Sequence, residues 1–133
     1  MTSASLAGTA RVDITPDWPV MLAGFGQRTE PATDAHDPVF GKALYLENDG
    51  ERMLIITTDL LSIPRQVGEG VAAGIGAATG LAARQICVCA SHTHSAPTSG
   101  YLGDGAIGVE RYWETISRRC SPLASCGRTL RAG

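Results

Sequence analysis

The sequence predicts an α/β fold, and three observations predict it. A hairpin signal sits at Asp49-Gly50, a helix-spaced stretch covers residues 64–80, and a continuous apolar run, QICVCAS, follows at residues 85–91. A helix between two apolar strands is the pattern of a crossover joining parallel neighbours, which is right-handed in nearly all proteins. The reading is a partial layered sheet with mixed strands, one β-hairpin and one main crossover helix.

Residues 8–15, GTARVDIT, mix β-branched and small residues and stop at Pro16, which suits a short strand followed by a turn at TPDWP. The segment MLAGFGQRTEP, residues 21–31, carries two glycines and then polar residues, the composition of a loop. Two β-rich arms follow, around 39–47 and 52–58, joined by ENDGE, where glycine supplies the positive φ of a tight turn. Over 64–80, Pro64 suits a first helical turn and Val67, Val71, Ile75 and Ala78 recur at helical spacing. Four glycines, at 68, 70, 74 and 76, oppose that helix by roughly 1 kcal/mol each relative to alanine. Gly80 is a natural stop. QICVCAS has the unbroken apolar character of a strand covered on both faces, with Cys87 and Cys89 as small buried residues on one side of it. Residues 98–110 read as a glycine-rich loop. Residues 111–118 can open a helix, whereas RRCSPLASCGRTLRAG has no consistent period. The division is therefore 1–117 as the folded portion and 118–133 as an atypical, irregular tail.

Composition bounds the partners. The 133 residues are 44% hydrophobic and 18% charged, the balance of a globular chain, and the mean hydropathy is +0.03. A formal net charge of −2 gives no basic surface for nucleic acid or anionic membrane. No window supplies the roughly 18–20 apolar residues of a membrane span. The N-terminus lacks a charged start followed by an apolar core, so the expectation is a cytoplasmic location. Four cysteines form neither a CxxC pair nor a disulfide framework. Five of the eleven basic residues, Arg111, Arg118, Arg119, Arg128 and Arg131, fall in the last 23 residues.

The chemistry-bearing stretch is ASHTHSAP, residues 90–97, which holds two of the three histidines directly after an apolar run. In an extended chain, residues two apart point to the same side and lie about 6.6 Å apart, so His92 and His94 are expected to face one metal ion together. The place is apt, because ligands of open α/β sheets gather beyond the carboxyl ends of the strands. The competing reading is a solvated turn or a hydrogen-bonded cap. A catalytic zinc takes three protein ligands and an open position, so two histidines leave the set incomplete. His36, in DAHDPV, is either a companion at the same site or a surface turn histidine. Asp59, in TTDLL, is either a ligand, a carboxylate orienting a ligating imidazole, or a cap. Ser91 and Ser95 flank the pair without a G-x-S-x-G elbow, and neither GxGxxG nor a P-loop occurs.

Taken in order, GTARVDITP, the HDP and KALYL stretch, the TTDLL strand end and HTHSAPTSGY resemble the N-terminal part of the catalytic domain of the neutral/alkaline (non-lysosomal) ceramidase family, over about residues 7–115. The resemblance implies a zinc-dependent amidase that hydrolyses the N-acyl bond of ceramide to a fatty acid and a sphingoid base. It implies His92 as a zinc ligand and His94 as a catalytic residue lining the same site, with zinc-activated water attacking the amide carbonyl. The implied partner is a ceramide-like lipid, and family members are often secreted or membrane-associated. HTHSAPTSGY departs from the HTHSGPGGY form at Ala96, Thr98 and Ser99. The family's remaining zinc ligands, a histidine, a glutamate and a tyrosine, come from later segments, and no histidine follows His94 here. The chain is thus expected to be the leading portion of a longer domain, inactive or weakly active alone, its ending explained by a truncated gene or a changed reading frame. The alternatives are a non-catalytic remnant and another HxH metallohydrolase.

Overall fold

The computed structural model describes residues 5–100 and 109–122. Four strands, β1 (Leu6–Asp13), β2 (Phe40–Asn48), β3 (Glu51–Thr58) and β4 (Ile86–Ala90), form one sheet in the order β1-β2-β3-β4. The first two pairings are antiparallel and the last is parallel. Helix α1 (Arg65–Thr79) links the two parallel strands, and helix α2 (Val109–Cys120) follows the site loop. The fold is the mixed α/β layer that the sequence predicts.

The hairpin turns at Asp49 and Gly50, both at positive φ (50° and 80°), a backbone twist matching that of the flanking strands. Pro64 sits one position outside α1, at its N-cap, and Gly80 closes the helix in the left-handed conformation. Val67, Val71 and Ile75 are buried as the spacing requires, whereas Ala78 is exposed and Leu81, just past the helix, takes the inward position. The glycines of α1 answer a packing need: a Cβ at Gly74 would stand 3.3 Å from Ser121 Oγ, and one at Gly70 3.6 Å from Ser117 Oγ. Small residues let α1 and α2 lie close together.

Both helices cover the same face of the sheet. Ala43, Tyr45, Leu54 and Ile56 from the strands form one core with Val67, Val71 and Ile75 of α1 and Tyr112, Ile116 and Cys120 of α2. QICVCAS is therefore covered on one face, not two. Ile86 and Val88 pack on the core, whereas Cys87 is exposed and Cys89 half-buried on the open side. Free cysteine is among the most buried residue types, so the pattern pointed inward at both positions and the structure departs from that preference.

The boundary expected at residue 117 falls inside α2, which continues through Arg118 and Arg119 to Cys120. Arg119 explains the continuation: its guanidinium donates to Thr15 O at 2.7 Å, tying the helix to the turn after β1. Arg111 lies 4.0 Å over the Trp18 ring at the opposite end. The expected loop at 101–108 and the tail at 123–133 lie outside the described residues. Among the described residues, no helix is long and apolar enough to cross a membrane.

Candidate functional site

The site is built where β3 and β4 end together, with Ala90 paired to Thr58. Beyond that point Ser91 N–H donates to Thr58 O (2.9 Å) and Thr93 N–H to Leu60 O (3.1 Å), so the two exits remain laced. Between them His92 takes a left-handed conformation, φ +62°, and Ser95 another, φ +65°. Non-glycine residues rarely adopt this region, and a persistent cluster of them is held by its surroundings.

The two imidazoles meet, with ring centroids 5.5 Å apart at 69°. The expected convergence is present, but strand periodicity does not produce it. The strand has ended, and the left-handed turn at His92 brings the rings together. His92 Nδ1 lies 2.9 Å from Leu61 O. A carbonyl oxygen only accepts, so Nδ1 carries the proton and the neutral ring has its lone pair on Nε2. That is the arrangement in which a metal-ligating histidine is oriented through its second nitrogen. The donor chemistry of His92 thus fits a zinc ligand, with Nε2 as the ligating atom.

The wall against His94 comes from the segment read only as a loop. Leu22 bridges Pro97, Ala23 N–H donates to Ala96 O (2.8 Å), and Ser95 N–H donates to Ala23 O (3.0 Å). Phe25 stands edge-on to His94, with centroids 5.3 Å apart and planes at 80°. Arg28 lies 5.2 Å from the Phe25 centroid and donates to Ser95 Oγ at 2.8 Å. Glycines in MLAGFGQR were the available signal, but nothing local says which side chain they approach.

A cavity of about 700 Å³, within the range of small-molecule sites, is lined by His94 but not by His92. Asp59, Thr93, His94 and Ser95 line it together with Trp18, Val20, Leu22 and His36. His36 is on the rim, its side chain 97% exposed and bonded at 2.9 Å to Asp37. The Asp37 carboxylate holds the His36 ring above its usual pKa. Asp59 acts as a cap: it accepts from Lys42 Nζ at 2.8 and 3.0 Å and from Phe40 N–H at 3.1 Å, which closes the hairpin's open end. Among the described residues, no group of three or more His, Cys, Asp or Glu side chains is gathered closely enough to hold a metal. What these residues bring together is the imidazole pair.

The positions departing from HTHSGPGGY are structural here. Ala96 is buried, and Ser99 donates to Ser62 O at 2.6 Å while its own carbonyl accepts from Trp113 Nε1 at 2.8 Å. Helix α2 is thereby pinned to the loop that carries the histidines.

No protein-family model matches the chain, and no curated protein gives a significant match to it. Solved structures do. The chain is similar to neutral ceramidase from Pseudomonas aeruginosa with a TM-score of 0.84 and 22% identity, over 100% of this chain and 23% of that one. It is also similar to a ceramidase complexed with C2, with a TM-score of 0.78 and 23% identity, over 99% of this chain and 22% of that one. The chain therefore has the fold of a part of neutral ceramidase and spans 23% of that enzyme's solved chain.

Proposed function

We propose that this chain carries the histidine-bearing part of a zinc-dependent amide hydrolase of ceramidase type, acting on the N-acyl bond of a ceramide-like lipid. The observation that carries the reading is the imidazole pair, 5.5 Å apart at the strand ends, with His92 Nδ1 engaged by Leu61 O. The ceramidase fold supports it.

In this reading His92 holds the metal through Nε2, and the remaining ligands come from the later segments of the family domain that the resemblance implies. Zinc, when bound, supplies a Lewis acid for the amide carbonyl and lowers the pKa of water to about 7. His94 lines the cavity and is the proton carrier. Water adds hydroxyl to the acyl carbon, and the imidazole of His94 takes the released proton and passes it to the amine nitrogen as the C–N bond breaks. The products are a carboxylic acid and an amine. Leu22, Val20 and Trp18 offer apolar surface to the lipid within the same cavity.

The second reading, a non-catalytic remnant, rests on the donor count: among the described residues no group of three or more His, Cys, Asp or Glu gathers, where a catalytic zinc takes three protein ligands. Zinc analysis of the purified chain separates the two. Zinc bound at one equivalent and lost in His92→Ala supports the hydrolase reading. Absence of zinc at micromolar metal supports the remnant, and zinc retained in His92→Ala places the metal elsewhere. Fatty-acid release from labelled ceramide, compared with His94→Ala, then tests the proton role.

A further inference from the structure

We infer that Gly24, Phe25 and Arg28 are positioning residues for His94, and that they fix its ring so that Nε2, not Nδ1, is the nitrogen offered to the cavity. The functional meaning of this inference rests on the reading above, but the geometry stands by itself.

Gly24 has φ +96°, and a Cβ built on it would lie 2.6 Å from His94 Cγ, 2.7 Å from Nδ1 and 2.8 Å from Cβ. Real Cβ atoms do not approach carbon or nitrogen so closely, so the space a side chain would need is occupied by the imidazole. Two separate constraints, left-handed backbone and absent room, therefore demand glycine at one position. The contact is also directional. It covers the Cβ, Cγ and Nδ1 corner of the ring with main chain, which leaves Nε2 as the nitrogen farthest from the obstruction.

Phe25 fixes the remaining freedom. Its edge-on contact limits rotation of the imidazole about the Cβ–Cγ bond, and such aromatic contacts have defined geometry. Arg28 holds Phe25 in turn by a cation–π contact and holds the loop by its bond to Ser95 Oγ. The segment 24–28 grips the residue beside His94 and the ring packed on it at once. The Arg28 guanidinium is engaged by the Phe25 ring and Ser95 Oγ, and Gly24 and Phe25 carry no acid or base, so the influence argued for this segment passes through His94.

The test uses the full chain with ¹⁵N-labelled histidine and diethyl pyrocarbonate, which acylates accessible, unprotonated imidazole nitrogens. Long-range ¹H–¹⁵N spectra identify the nitrogen modified. In the folded chain, modification of His94 is expected at Nε2, with Nδ1 modification lost relative to the same chain unfolded in urea. Nδ1 modified at the unfolded rate overturns the inference. Gly24→Ala is expected to displace the His94 resonances and restore Nδ1 reactivity. Should Gly24→Ala fail to fold, Phe25→Leu serves: loss of the ring current moves the His94 ring protons, and unchanged His94 shifts in a folded Phe25→Leu protein overturn the positioning role. Because neither zinc nor amide cleavage is read, failure here is distinct from failure of the hydrolase reading.

Discussion

Asp13 closes the turn of the DITP motif, accepting from Thr15 N–H at 2.7 Å. The Thr15 hydroxyl and then its backbone N–H hold the carboxyl below the usual carboxylate range, helped by the charge of Arg119 and opposed by slight burial. A carboxylate whose pKa is lower folded than unfolded stabilises the fold above the unfolded pKa of about 3.9, and the contribution disappears as pH falls through the folded value. Asp13→Asn is therefore expected to melt below the wild type at pH 7, with the gap closing in acid. Thermal melts at pH 7 and near pH 3 check this, and a gap of equal size at both pH values contradicts it. The sequence placed Asp13 inside a strand running to Thr15, whereas β1 ends at Asp13 and the side chain bonds the backbone N–H two residues on, a local turn motif. The imidazole pair was legible in part. HxH spacing gave proximity, but the left-handed φ of His92 depends on Leu60 and Leu61, some thirty positions away. Gly24 was not legible, because its reason is His94, distant in sequence.

Helices α1 and α2 differ in how plainly the sequence wrote them. Val67, Val71 and Ile75 recur at helical spacing and all are buried, so the pattern located α1 despite its glycines. In α2 the buried positions Tyr112, Ile116 and Cys120 are also four apart, but arginines and an apolar-poor surface obscured the last turn. Propensity weighed against α1, and packing decided for it: Gly70 faces Ser117 of α2 and Gly74 faces Ser121 just past its end, and larger residues would hold the helices apart. Ile75 is fully buried in the core. Ile75→Ala is expected to cost about 2–5 kcal/mol and Ile75→Val about 0.5–1.5 kcal/mol, read from urea unfolding midpoints. Ala78→Ser, on the exposed side, is expected to change stability by less than about 0.5 kcal/mol. Equal losses at 75 and 78 would contradict the observed facing of the helix.

The layer as a whole is one-sided. Helices cover the face bearing Ala43, Tyr45, Leu54 and Ile56, while the opposite face presents Leu44, Leu46 and Met53 at 37%, 39% and 43% exposure. These residues are neighbours across β2 and β3: Leu46 pairs with Met53, and Leu44 pairs with Ile55, which in turn pairs with the exposed Cys87 of β4. An apolar patch of this continuity, next to an edge strand, draws sheets into contact. Sequence alone pointed the other way, since the unbroken apolar run of β4 reads as a strand covered on both faces, and the exposed Cys87 corrects it. Lysine at Leu44 and Met53 places charge on the open face, keeps the long apolar stem against the sheet and touches nothing in the core. Leu44→Lys combined with Met53→Lys is therefore expected to lower light scattering at high protein concentration, with the circular dichroism spectrum unchanged and the unfolding midpoint close to that of the wild type. Loss of cooperative unfolding in that variant would mean that the face is already packed in the folded chain, and the one-sided description of the sheet would be wrong.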